Sequence, residues 1–178
     1  MTILDFFKDA SNLKSIPRQG WIDKLNINRP ESVADHSYSM SIMAMIISDL
    51  ENYDSEKILK MVLLHDLAES KIGDFTPDQI SKDKKEKIEN QAFHKVIEKL
   101  PDSIKLEYAE IWKEYQNQIS VESQIVHQID RLEMALQAKI YQKSGSSKEN
   151  ISTFLETAKS DITHPKLQQL FRKITEDN

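Results

Sequence analysis

The chain has 178 residues, 39% hydrophobic and 30% charged, with a net charge of −5. That acidity excludes a broad nucleic-acid-binding surface. The absence of cysteine excludes disulfides and thiolate metal sites. The clearest apolar run, IMAMII at 42–47, is far too short to cross a bilayer. The N-terminal MTILDFFKDA carries Asp5 and no basic flank, unlike a secretory signal, so we expect a cytoplasmic protein with no membrane partner.

Apolar residues recur at helical spacing almost throughout. The pattern predicts a first helix over residues 3–13. SIPRQGWIDKLNINRPE follows, with two of the five prolines and one of the three glycines, and reads as a structured loop packed through Ile16, Trp21, Ile22, Leu25 and Ile27. Ser32 with Asp35 three residues on is a capping box opening a helix that runs to about Leu50. His36, Met40, Met43 and Ile47 share one face of that helix.

The next helix is predicted over 55–70, with Gly73 ending the turn after it. GDFTPD is a loop, and the lysines at 82–87 read as the solvated start of the helix carrying Phe93, Val96, Ile97 and Leu100. Helices over 104–115 and 121–143 follow. The latter is apolar on more than one side and belongs at the centre of a bundle. SGSSKEN is a turn, followed by a short helix and a last one after 163–165. The expectation is one all-α domain over residues 1–178.

Within MVLLHDLAESKIGD, at 61–74, His65 and Asp66 interrupt an apolar stripe, with Glu69 one turn later. Burying these groups costs several kcal/mol unless each has a partner. Adjacent helical residues point about 100° apart, so both can lean toward one point. His36 lies on the inward stripe of the preceding helix, and Asp130 lies in IVHQIDRLEMAL on the central one. Two imidazoles and two carboxylates make an N/O ligand set suited to a divalent first-row metal. Taken singly, each histidine reads equally as a satisfied core residue. His94 and His164 do not look like ligands, and His127 stays open as a supporting residue.

The order His36, His65–Asp66, Asp130 resembles the H…HD…D pattern of HD-domain metal-dependent phosphohydrolases. LKSIPRQGW, RPESVADHSYSMSIMAMII, LLHDLAESKIGD and HQIDRLEMALQA resemble the 5′-deoxynucleotidase branch, over most of the chain. The resemblance implies a helical HD-domain bundle with a buried metal site and a homodimer. It implies removal of the 5′-phosphate from nucleoside monophosphates. It makes His36, His65, Asp66 and Asp130 ligands of one divalent ion (Mn, Co, Fe, Ni or Zn), Glu69 the catalytic carboxylate, Arg18 the phosphate contact and Asp74 a substrate-side residue. Gln19 stands where the bacterial enzyme has a Trp that helps reject ribonucleotides, and GDFTP is shorter than its bacterial counterpart, leaving sugar selectivity open. Hydrolysis of a triphosphate or cyclic dinucleotide, or a non-catalytic regulatory role, are the alternatives.

Overall fold

The computed structural model describes residues 2–176. Helix α1 (Ile3–Asn12) opens on a capping box between Thr2 and Asp5 and tightens into a 3₁₀ turn at Leu13–Ser15. A seven-residue helix, α2 (Gln19–Leu25), comes next and ends at Asn26 in the left-handed conformation, φ 54°. This corrects the expected loop: Trp21 and Leu25 are both buried, and their packing holds a helix too short to persist alone.

Helix α3 (Val33–Glu51) begins at the predicted Ser32–Asp35 capping box, which supplies about 1 kcal/mol. Helix α4 (Ser55–Leu64) stops at His65, six residues earlier than expected, and α5 (Glu69–Ile72) follows after a turn. Through residues 64–71 the amide bonds reach back three residues instead of four: Leu67 to Leu64, Glu69 to Asp66, Ser70 to Leu67 and Lys71 to Ala68. The winding is tighter there, as in 3₁₀ segments. Gly73 closes it at φ 80°, the conformation that favours glycine.

Helices α6 (Lys82–Ile97), α7 (Asp102–Asn117) and α8 (Val121–Lys143) complete the middle of the fold. Helix α9 (Lys148–Asp161) has 14 residues, longer than its weak pattern implied, and α10 (Pro165–Glu176) ends the described chain. Among the described residues the only β-type pairing is an isolated bridge between Pro17 and Ser32.

Helix α8 lies at the centre, against α3, α4, α7, α9 and α10. Its Ile125, Val126, Ile129, Leu132, Ala135 and Ala138 are buried, as its many-sided apolar pattern predicted. Met40, Ile58, Met61 and Phe93 are fully enclosed. Burying side chains of this size stabilises the fold by roughly 1.5–3 kcal/mol each. Phe93 also stacks on Trp112, centroids 4.2 Å apart. Asp9 of α1 forms ion pairs with Lys71 and Lys99, and Asn12 Nδ2–H donates to the Ser70 carbonyl. These ties fasten α1 to the tight winding around α5.

Candidate metal centre

Helix α3 and the winding after α4 bring His36, His65 and Asp66 together. One ligand atom from each lies within 4.8 Å of the others. His65 Nε2 is 3.0 Å and His36 Nε2 is 4.0 Å from Asp66 Oδ2. Asp130 joins from α8 with Oδ1 3.3 Å from His36 Nε2, at the edge of that trio. Such separations suit ligands that each stand about 2.1 Å from a shared ion.

The outer ring nitrogens explain which atoms face inward. His36 Nδ1 is 2.6 Å from Glu133 Oε2, and a carboxylate only accepts, so Nδ1–H donates. His65 Nδ1–H donates to the Val62 carbonyl at 2.6 Å. When neutral, each ring therefore turns its Nε2 lone pair toward carboxylate oxygens. Both Nε2 atoms are buried without a hydrogen-bond partner. A lone pair facing an anion at 3.0–3.3 Å is repulsive unless positive charge lies between them. The donor set thus fits a divalent cation, with outer partners orienting the rings as in known metal sites.

The electrostatics agree. Burial and Arg18 oppose protonation of His36, but Asp130 and Glu133 outweigh them and push it up to about 9. Burial opposes ionisation of Asp66, yet His65, Arg18 and His36 hold it well below the usual carboxylate range. Asp130 is likewise held low, by His36, Arg131 and Arg18 against burial. In protein without a bound ion, protonated His36 and Arg18 supply the countercharge.

The remaining predicted residues line one cavity of about 360 Å³, together with His65, Asp66 and Asp130. Arg18 Nη1 is 3.2 Å from Asp66 Oδ2. Glu69 is 2% exposed, and its Oε2 has no hydrogen-bond partner. Burial, with Asp66 and Asp74 nearby, raises its pKa well above the ordinary value. Asp74 faces the cavity and also accepts the Gln19 N–H at 2.9 Å, which ties the loop after Gly73 to the start of α2. The Gln19 side chain itself turns to Asp23, at 2.7 Å.

Trp21, Phe154, Met134 and Phe75 form the apolar part of the wall. The Trp21 ring packs on Phe154 and Tyr141, centroids 4.3 and 5.2 Å away, and its N–H donates to Glu31. Arg131 pairs with Asp130 and with Asp161 and so braces Asp130 from the side. His127 stacks flat on Tyr115 at 4.1 Å, and burial lowers its pKa. His94 and His164 line no part of this cavity.

Sequence reasoning missed three residues here. Glu133 orients His36, while Lys85 and Glu89 of α6 line the cavity. A signal existed for each. Glu133 is one turn beyond Asp130 on the same face of α8. Lys85 and Glu89 extend the buried stripe of Phe93 and Val96 at helical spacing.

Residues 10–171 match the HD domain family, and the chain belongs to it. Human 5′-deoxynucleotidase HDDC2 is 35% identical over 174 residues, covering 97% of this chain and 84% of that protein. Its Dictyostelium discoideum counterpart of the same name is 35% identical, covering 98% and 97%. The crystal structure of the PH0347 protein from Pyrococcus horikoshii OT3 superposes with a TM-score of 0.80 at 32% identity, over 96% and 97% of the two chains.

Proposed function

We propose that this HD-domain protein is a metal-dependent phosphomonoesterase that removes the 5′-phosphate of nucleoside and deoxynucleoside 5′-monophosphates. The observation that carries the reading is the pair of buried, unpartnered Nε2 atoms facing Asp66 and Asp130 at the foot of a nucleotide-sized cavity. Relatives named 5′-deoxynucleotidase, matched along nearly the whole chain, support the same chemistry.

His36, His65, Asp66 and Asp130 would hold one divalent ion of the Mn, Co, Fe, Ni or Zn group. When bound, that ion supplies Lewis acidity toward a phosphate oxygen and lowers the pKa of water. Arg18 binds the phosphate through its planar fork, exchanging part of its pairing with Asp66 for the substrate. Trp21, Phe154 and Met134 give the nucleoside an apolar surface, and Phe75 to Pro77 narrow the opening and exclude water. Glu69 retains a proton through burial and its carboxylate neighbours, and hands it to the departing 5′ oxygen. Asp74 holds α2, and with it Arg18, against the loop.

We also infer a homodimer. Tyr38, Ile42, Ile46 and Leu50 make an exposed apolar stripe along α3, and Ile104 and Leu106 are exposed on α7. Sedimentation at micromolar concentration tests it, and a monomer there would overturn it.

Phosphate release should be followed with chelator-stripped protein resupplied with Mn, Co, Mg or Zn. The substrates are ribo- and deoxynucleoside 5′-monophosphates, 3′-monophosphates, triphosphates and a cyclic dinucleotide. Release confined to 5′-monophosphates is the expected result. Silence on all of them with every metal would sink the reading, and turnover of triphosphates alone would move it elsewhere among HD hydrolases.

A further inference from the structure

Lys85 differs from the other lysines of its run. Lys82, Lys84 and Lys87 are exposed, whereas the Lys85 side chain is 30% exposed and faces the cavity. Its ammonium donates to the Phe75 carbonyl at 2.8 Å. The same nitrogen lies 3.5 Å from Glu89 Oε1, 3.9 Å from Asp74 Oδ1 and 4.0 Å from Glu69 Oε1. Three carboxylates and a carbonyl thus converge on one ammonium, which comes from a different helix than the groups of the 69–75 stretch.

Without Lys85, Asp74 and Glu89 would lose the cation they share, and the Glu69 carboxyl would lose the ammonium beside it. The half-buried Phe75 carbonyl would also lose its charged donor. Next to Phe75, Thr76 starts a turn whose carbonyl accepts the amides of Gln79 and Ile80. The loop from Gly73 to α6 is therefore tied to α6 near its start by this side chain, while Asp74, Thr76 and Gln79 tie it to α2 through Gln19 and Asp23.

Resting on the nucleotidase reading, we infer that Lys85 is a positioning residue for the hydrolysis: its ammonium fixes the Glu69 carboxyl and the 74–77 loop in a single arrangement at the cavity wall. It acts through Glu69 and the loop rather than by gripping substrate. Misplacement of a reacting group by an ångström reduces rate on the order of 10²-fold.

Lys85→Met, Lys85→Gln and Lys85→Arg are compared with wild type, with Lys84→Met as the exposed control. Steady-state rates are measured on the best 5′-monophosphate, and amide hydrogen exchange is measured on the metal-free proteins. Lys85→Met and Lys85→Gln should lower kcat by on the order of 10²-fold with little change in KM, and Lys85→Arg should restore much of the loss. In the first two variants the Gln79 and Ile80 amides should exchange roughly tenfold faster, the equivalent of one lost charge-assisted hydrogen bond, while α8 amides keep wild-type protection.

Normal kcat and normal loop exchange in Lys85→Gln overturn the inference. A rise in KM alone makes Lys85 a substrate contact and overturns it too. If wild type is silent on every monophosphate, the nucleotidase reading fails. Exchange at Gln79 and Ile80 then still reports whether Lys85 anchors the loop.

Discussion

On one side of the metal centre, His36 projects from the first turns of α3 and Asp130 and Glu133 from the middle of α8, helices of 19 and 23 residues opened by capping boxes. On the other, His65, Asp66, Glu69 and Asp74 come from the tight winding and loop at 65–74. The first side is placed by apolar burial spread along whole helices. The second is placed by a few directional ties: Val62 to the His65 ring, Asn12 to Ser70, Asp9 to Lys71, and Gln19 to Asp74. The proton transfer proposed for Glu69 would sit on the tied side, where adjusting one hydrogen bond moves one carboxylate. The burial-held side would provide a fixed reference for the ion.

Substitutions that break this contrast are expected to rank as follows. Asp66→Ala removes a ligand from the tied side and unpairs Arg18. Phosphate release should vanish with every metal tested, and calorimetry should show cation binding lost with it. Glu69→Gln should lower kcat by on the order of 10²–10⁴-fold while cation affinity holds. A parallel loss of affinity would make Glu69 a ligand instead of an acid.

Glu133→Gln probes the burial-held side. It weakens the acceptor for the His36 ring and should reduce cation affinity by roughly 10–100-fold, read by competition with a chelating dye.

Asp9→Asn sharpens the contrast through stability. Burial raises the Asp9 pKa, but Lys71 and Lys99 outweigh it and leave the folded value below 3.8. A depressed carboxylate stabilises the fold above its unfolded value and loses that contribution as pH falls through the folded one. Urea unfolding at pH 7 should show a loss of roughly 1–2 kcal/mol in Asp9→Asn, and the gap from wild type should close below pH 3.8. Gly73→Ala should cost a comparable amount, roughly 1–3 kcal/mol, because φ 80° with ψ 171° is open almost only to glycine, measured the same way.

The same contrast governs what the sequence made legible. Capped helix starts such as Ser32–Asp35, and the central position of 121–143, follow from local hydrogen bonding and periodicity, so α3 and α8 were readable. His36, His65, Asp66 and Asp130 were readable because each interrupts an apolar stripe. The break at His65 was not, because bonds reaching back three residues instead of four leave no mark on composition. Helix α2 was hidden by its seven-residue length and by Gly20 within it, its support being the distant Tyr141 and Phe154. Lys85 was lost in a run of identical residues that only the face of α6 separates.

The bridge between Pro17 and Ser32 has a consequence of its own. Arg18 N–H donates to the Glu31 carbonyl and Val33 N–H to that of Ile16, so the chain leaves and returns through one clamp. Arg18 stands just inside the outgoing strand of that clamp, and His36 stands in the first turns of the helix beginning at the returning one. The excursion between them, 19–30, is closed at its base by these two hydrogen bonds, so the separation of the Arg18 backbone from the start of α3 is set at the clamp rather than by the length of chain between.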